Sequence, residues 1–280
     1  MLKTTICKRI FPDMHLKRWL TALVGIPIVI LLIGPAPRWL FAAFLCLVAV
    51  VGLIEFNRVA APESPRSIKW SGYALSVLFF AVAFAGQIHL LVAVIAFWAF
   101  VPLALAMFAV RSPGPEATAD VGKGLLGPAY VTLPLAMLTI IDRYPHGNGW
   151  IFFLLTVVFA GDTGAFYCGK LLGKHKLYEA VSPNKTWEGA GGGLIFSVIG
   201  AMWFLHLWPL RPVDGGVLLL AALMSVSAQI GDLAESMLKR NRGVKDSSGI
   251  LPGHGGLLDR IDGILFAVPV LYIYLTIRIL

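Results

Sequence analysis

Charge is scarce in this sequence: Asp, Glu, Lys and Arg make up 14% of its 280 residues, against 58% hydrophobic residues. Soluble domains carry about 25% charged residues, so an aqueous globular fold is excluded. The mean hydropathy of +0.81 points instead to the bilayer as solvent. Cysteine is sparse as well. Cys7, Cys46 and Cys168 fall in the N-terminal tail and in two apolar runs, with no CxxC spacing, which argues against a disulfide framework or a metal knuckle. The net charge is +8, yet no basic stripe with interleaved aromatics exists, so nucleic acid is not an expected partner. No small-residue cleavage site stands out after the basic N-terminus, and the first apolar run reads as an anchor, not a leader.

What the sequence has in abundance is apolar runs long enough to cross a roughly 30 Å hydrocarbon core as helices. They fall at about 20–34, 39–57, 70–87, 89–110, 124–141, 150–172, 189–209, 217–238 and 261–279, nine in all. Breaker segments such as Gly34-Pro35-Ala36-Pro37 and His146-Gly147-Asn148-Gly149 separate them, and the weakest boundary is near Gln87. The distribution of Lys and Arg tests the count, because positive residues are retained on the cytosolic side. With a cytosolic N-terminus, 19 of the 23 basic residues lie on that side and only Arg38, Arg143, Arg211 and Arg278 on the other. The fold class expected is therefore all-α, a polytopic integral membrane protein of about nine transmembrane helices with its N-terminus in the cytosol. Trp19, Trp39, Trp70, Trp150 and Trp208 sit near span ends and read as interfacial anchors; His15, His89 and His206 read as structural.

Acids inside spans are costly, about 2.5–3.5 kcal/mol each on insertion scales, and usually line a cavity, pair or bind something. Five stand out: Asp162 in the sixth span, Asp232 and Glu235 near the end of the eighth, Asp259 and Asp262 at the start of the ninth. In this topology all five fall in the cytosolic half. The spacing of three within each pair places both carboxylates on one helix face. A cation among them would relieve their repulsion, and hard oxygen ligands suit Mg²⁺ bridged to phosphate. The bland alternative is that they form salt bridges with Lys239, Arg240 or Arg260.

Two loops are unusually polar. The stretch from Ser236 to Asp262 combines Lys239, Arg240, Arg242 and Lys245 with Pro252-Gly253-His254-Gly255-Gly256 and Asp259-Arg260-Ile261-Asp262. Clustered cations suit phosphates, and glycines let backbone approach a ligand closely. The earlier loop reads Ser182-Pro183-Asn184-Lys185-Thr186-Trp187-Glu188-Gly189, a plausible phosphate or nucleotide cradle. Gly189 and Gly193 form a small-xxx-small pair suited to close helix packing.

At these residues the sequence closely resembles the phosphatidate cytidylyltransferase (CDP-diacylglycerol synthase) family. The resemblance rests on the Ser236 to Asp262 run, with Gly161-Asp162-Thr163-Gly164, Ser182 to Gly189 and Gln229-Ile230-Gly231-Asp232-Leu233, and covers about residues 155–270. It implies condensation of CTP with phosphatidic acid to CDP-diacylglycerol and pyrophosphate, with a divalent cation, Mg²⁺. Motif matching gives Asp232 and Asp259 as the first choices for metal ligands, with Asp262 and Asp246 next. Asp162, Ser182, Lys185, Thr186 and Glu188 are then expected to bind nucleotide or metal, and Lys239, Arg240, Lys245 and Arg260 the phosphates. His254 either binds phosphate or orders the glycine turn.

The division expected is a cytosolic tail, 1–19; about five helices over 20–141; and a catalytic region of about four helices over 142–280, with cytosolic loops 173–188 and 239–260. The first five spans look generic. Expected partners are CTP, phosphatidic acid and the bilayer, with a homodimer left open. The expected location is a bacterial inner membrane, with the site facing the cytosol. Two competitors are a CTP-dependent lipid-alcohol kinase and an ion-coupled transporter. The sequence shows no internal repeat, and its polar groups gather on one side, which speaks against the second.

Overall fold

A computed structural model describes residues 23–109, 115–250 and 255–279. Cys7, His15, Trp19 and His254 lie outside the described residues. The chain is a bundle of apolar helices: α1 (Leu23–Ile33), α2 (Arg38–Ala60), α3 (Arg66–Phe84), α4 (Ile88–Ala109), α5 (Pro115–Gly127), α6 (Leu133–Ile141), α7 (Gly147–Leu172), α8 (Trp187–Leu207), α9 (Gly215–Asn241) and α10 (Leu258–Ile279). A π turn over Pro128–Thr132 joins α5 and α6 into one span. Among the described residues eight spans are long and apolar enough to cross a membrane, and α1 is a shorter apolar helix within the first expected span. The chain is an all-α polytopic integral membrane protein.

The expected breaks fall where the backbone turns. The doubtful boundary near Gln87 is a real one, because Gly86 takes φ +74°, open to a residue without Cβ, and Arg143 donates to the Phe84 carbonyl left at the end of α3. The α9 terminus is a Schellman motif. Gly243 sits at φ +72°, its N–H donates to Arg240 O at 2.9 Å, and Val244 N–H donates to Lys239 O at 3.0 Å.

Three features depart from the sequence reading. The fifth span begins seven residues earlier than its apolar block, at Ala117, because the polar turns holding Asp120 and Lys123 continue the helix. The 173–188 loop is not irregular: Lys176–Tyr178 (β1) and Ser182–Thr186 (β2) pair as an antiparallel hairpin. Trp150 is no interfacial anchor, since it is buried edge-on against Phe153, whereas Trp39, Trp70 and Trp208 are exposed as an aromatic belt requires.

Helices α7 and α8 pack almost backbone to backbone. A Cβ at Gly189 would lie 2.9 Å from Ala165 O, and one at Gly193 would lie 3.1 Å from Gly161 O. This is the close approach that small-xxx-small spacing permits. Gly231 does the same between α9 and α10, where a Cβ would fall 2.5 Å from Asp262 O. These contacts draw the C-terminal end of α7, the N-terminal end of α8, the C-terminal end of α9 and the N-terminal end of α10 to one end of the bundle.

Candidate active site

At that end, a cleft of about 610 Å³ opens between α7, α8, α9 and the hairpin. Asp162 from α7, Ser182, Lys185 and Thr186 from β2, and Asp232 from α9 all line it. Lys185 Nζ is 2.7 Å from Asp232 Oδ2. The pair is held by charge more than by direction, for no hydrogen bond of the buried amine is well aligned. Asp262, at the start of α10, interacts electrostatically with both Asp232 and Asp162. Two carboxylates from two helices, Asp162 and Asp232, therefore line the cleft, and Asp262 of a third adds its negative charge nearby.

Not every expected cleft residue offers its polar group to a ligand. Thr186 Oγ1 accepts from Gly189 N at 3.1 Å, the N-cap of α8. Glu188 accepts from Lys174 N at 3.1 Å and pairs with His175 Nδ1 at 2.6 Å, which ties the hairpin to the first turn of the helix. Both residues shape the cleft wall by fixing the hairpin.

Beside the cleft lies a second, buried group. Lys239 bridges Glu235 and Asp259, the latter at 2.6 Å, with side chains only 12%, 2% and 7% exposed. The salt-bridge alternative thus holds for these two acids. Breaking such a buried pair costs about 3–5 kcal/mol, because it strands an uncompensated charge. Asp259 is fully engaged: Oδ1 accepts from Lys239, and Oδ2 from Ser247 N, Ser247 Oγ and Gly256 N at 2.8–3.0 Å. Gly255, at φ +79°, brings the chain past Asp246 and Asp259, where a Cβ would lie 3.5 Å and 2.9 Å from their side chains. Arg240 Nε donates to Val181 O at 3.2 Å and fastens α9 to the hairpin turn. Lys245, Asp246 and Arg260 are exposed at the same end.

One acid escaped the sequence reading. Glu55, near the end of α2, is 1% exposed and accepts from Ser247 Oγ at 3.1 Å, Leu257 N at 3.0 Å and Leu258 N at 2.6 Å, as well as from Ser248 Oγ. It lies inside the apolar block 39–57, so the cost of an acid within a span marks it as it marked the other five.

Among the described residues no group of three His, Cys, Asp or Glu side chains forms a ready-made metal cage. The donor set around the cleft nevertheless fits a hard divalent cation. Asp162 and Asp232 bring oxygen ligands to a cleft that Lys170 and Lys185 also line, and Mg²⁺ usually takes one or two carboxylates, with phosphate oxygens and waters completing its shell.

Comparison with known proteins agrees with this geometry. Residues 16–278 match the cytidylyltransferase family. The chain is 36% identical over 266 residues to a phosphatidate cytidylyltransferase of Staphylococcus haemolyticus, covering 92% of this chain and 98% of the relative. It is 35% identical over 260 residues to the Staphylococcus aureus (strain COL) protein of the same name, with the same coverage. With a match that spans nearly its whole length and takes in both polar loops, the chain belongs to the cytidylyltransferase family.

Proposed function

We propose that the chain condenses CTP with phosphatidic acid, yielding CDP-diacylglycerol and pyrophosphate, at the cytosolic face of a bacterial inner membrane. The observation that carries this reading is the cleft, in which Lys185 pairs with Asp232 and stands beside Asp162 at one end of the bundle. The relatives' name supplies the substrates, and the partition of Lys and Arg along the sequence, 19 of 23 on the side expected to be cytosolic, supports the orientation.

In this reading a phosphate oxygen of the lipid attacks the α-phosphorus of CTP. The bond from that phosphorus to the bridging oxygen breaks, and pyrophosphate leaves with the electron pair. No general base is required, since the nucleophile is already ionised. The task is to orient two anions and to stabilise charge growing on the leaving group. Lys185 meets the triphosphate in the cleft, with Lys245 and Arg260 exposed at the same end of the bundle. Ser182 offers a hydroxyl to the nucleotide. Asp232, Asp262 and Asp162 would hold a divalent cation, Mg²⁺, whose chemistry is to neutralise the phosphates and favour pyrophosphate departure. Asp259, Lys239, Arg240 and Glu188 form the frame, since their polar groups are committed within the protein. Confining the chemistry to residues 142–280 is part of the proposal.

The test is incubation of the purified protein with phosphatidic acid, α-labelled CTP and Mg²⁺, with and without EDTA. Label entering lipid with stoichiometric, EDTA-sensitive pyrophosphate is the expected result. CDP released with no label in lipid would replace this reading with a CTP-dependent lipid-alcohol kinase, and no turnover from an intact sample with a transporter.

A further inference from the structure

We infer that Glu55 is a positioning residue for this site, a clamp reaching from α2 that fixes where α10 begins. For its activity readout the inference rests on the function proposed above. An acid within a spanning helix is costly unless it is used, and Glu55 is almost fully buried. Its two oxygens gather four donors from two separated stretches of chain. Oε1 takes Ser248 Oγ and Leu257 N, while Oε2 takes Ser247 Oγ and Leu258 N. Leu258 is the first residue of α10, so the carboxylate sits where helix N–H groups lack intrahelical partners and the helix dipole favours a negative charge.

The adjacent glycine is shaped for this contact. A Cβ at Gly256 would fall 2.8 and 2.9 Å from the two Glu55 oxygens and 1.9 Å from Ser247 Oγ. No larger residue fits without displacing the clamp. Ser247 also reaches Asp259 Oδ2 at 3.0 Å, so the same hydroxyl links Glu55 to the Lys239 network. One helical turn further on, Asp262 interacts electrostatically with Asp232, and its carbonyl meets Gly231 at the α9–α10 contact. The position of α10's first turn sets how near the Asp262 charge comes to the Asp232 and Asp162 that line the cleft, and Glu55 sets that position from α2.

The experiment uses the full chain in nanodiscs and compares wild type with Glu55→Gln, Gly256→Ala and the double variant. Gln keeps the length of the side chain but replaces one accepting oxygen with a donor. Amide hydrogen exchange over residues 255–260 is expected to quicken about tenfold or more, with α7 and α8 unchanged. CTP-dependent turnover, counted per CTP-binding site, is expected to fall about tenfold or more while KM for CTP stays within about threefold, because the residues lining the cleft are untouched. Since both substitutions strike one clamp, the double variant should lose no more than the worse single one.

Unchanged exchange in Glu55→Gln would overturn the inference. So would losses that multiply in the double variant, or a fall in turnover matched by a fall in CTP-binding sites, the sign of a mere structural prop. If the wild type transfers no label to lipid, the proposed function fails, and the exchange result still decides whether Glu55 holds α10.

Discussion

Helices α2–α6 and helices α7–α10 both bury glycines, but only the second group also uses them to bring backbone against backbone. In the first group a glycine makes room for a neighbour's side chain: a Cβ at Gly52 would meet Val131 Cγ1 at 2.8 Å, and one at Gly127 would meet Phe56 Cδ1 at 2.9 Å. In the second group Gly161, Gly164 and Gly192 also meet side chains, but Gly189, Gly193 and Gly231 let backbone meet backbone, against the carbonyls of Ala165, Gly161 and Asp262. Side chains can repack into such a space, whereas carbonyls anchored in helical ladders cannot. The first arrangement makes a stable but forgiving scaffold. The second fixes helix positions closely enough for Asp162 and Asp232, from two helices, to share one cleft.

The comparison breaks most sharply at the carboxylates themselves. Asp232→Asn keeps the shape of α9 but removes the charge beside Lys185. Turnover should fall about 10²–10³-fold, the scale on which one electrostatic contributor to a polar transition state counts. Thermal stability should hardly change, as the residue is only half-buried, and a differential scanning measurement beside the lipid-labelling assay checks both. An Asp232→Asn protein with wild-type turnover would move the chemistry out of the cleft.

Gly164→Val comes next. The added Cβ would lie 2.5 Å from Phe196 Cβ and 2.8 Å from Gly192 O, so α7 and α8 must part. Overpacking of this kind costs about 1–3 kcal/mol. Turnover should fall further than that stability loss accounts for, because Asp162 rides on the displaced helix. Equal effects on stability and on turnover per folded molecule would show that close packing here serves stability alone.

Phe79→Leu probes the forgiving half. Phe79 stacks on Trp98 with ring centroids 4.9 Å apart, and both are buried between α3 and α4. Loss of the aromatic pairing should lower stability by about 0.5–1.5 kcal/mol. KM for CTP should stay where it was. A rise in KM would mean that the N-terminal helices transmit packing changes to the cleft by routes other than Glu55.

The same contrast explains what was legible in the sequence. Spans were readable because hydrophobic length is a property of composition, and the acids because charge inside a span is expensive wherever it falls. Glu55 met the same criterion, yet it sat in a stretch whose surroundings looked generic, and its partners Leu257 and Leu258 are some two hundred residues away. The engagement of Asp259 with Lys239, Ser247 and Gly256 was equally hidden, since a carboxylate facing a ligand and one holding a loop have the same sequence. The hairpin was missed because β1 has three residues and β2 contains Pro183, too short and too interrupted for a period-two pattern. Trp150 lies at a span end by sequence, but only the packing of α7 shows that it points inward.

The smallest effect belongs to the opposite end of the bundle, where Asp142 lies 3.7 Å from Arg38 just beyond the end of α6. Burial pushes the Asp142 carboxyl above its ordinary value, against the pull of Arg38 and Arg143. A folded-state pKa raised in this way means that the folded protein holds the proton longer than the unfolded chain does. Stability from this group is therefore present at acid pH and lost as pH rises from the ordinary carboxylate range through the raised value. Asp142→Asn should flatten that part of the stability–pH curve and, with an exposed arginine as partner, shift stability at neutral pH by no more than about 1 kcal/mol. Turnover should be unaffected, because the cleft lies across the membrane. A loss of activity in Asp142→Asn would show that the two ends of the bundle are coupled, and the contrast between a forgiving scaffold and a fixed site would then have to be redrawn along the helix axis.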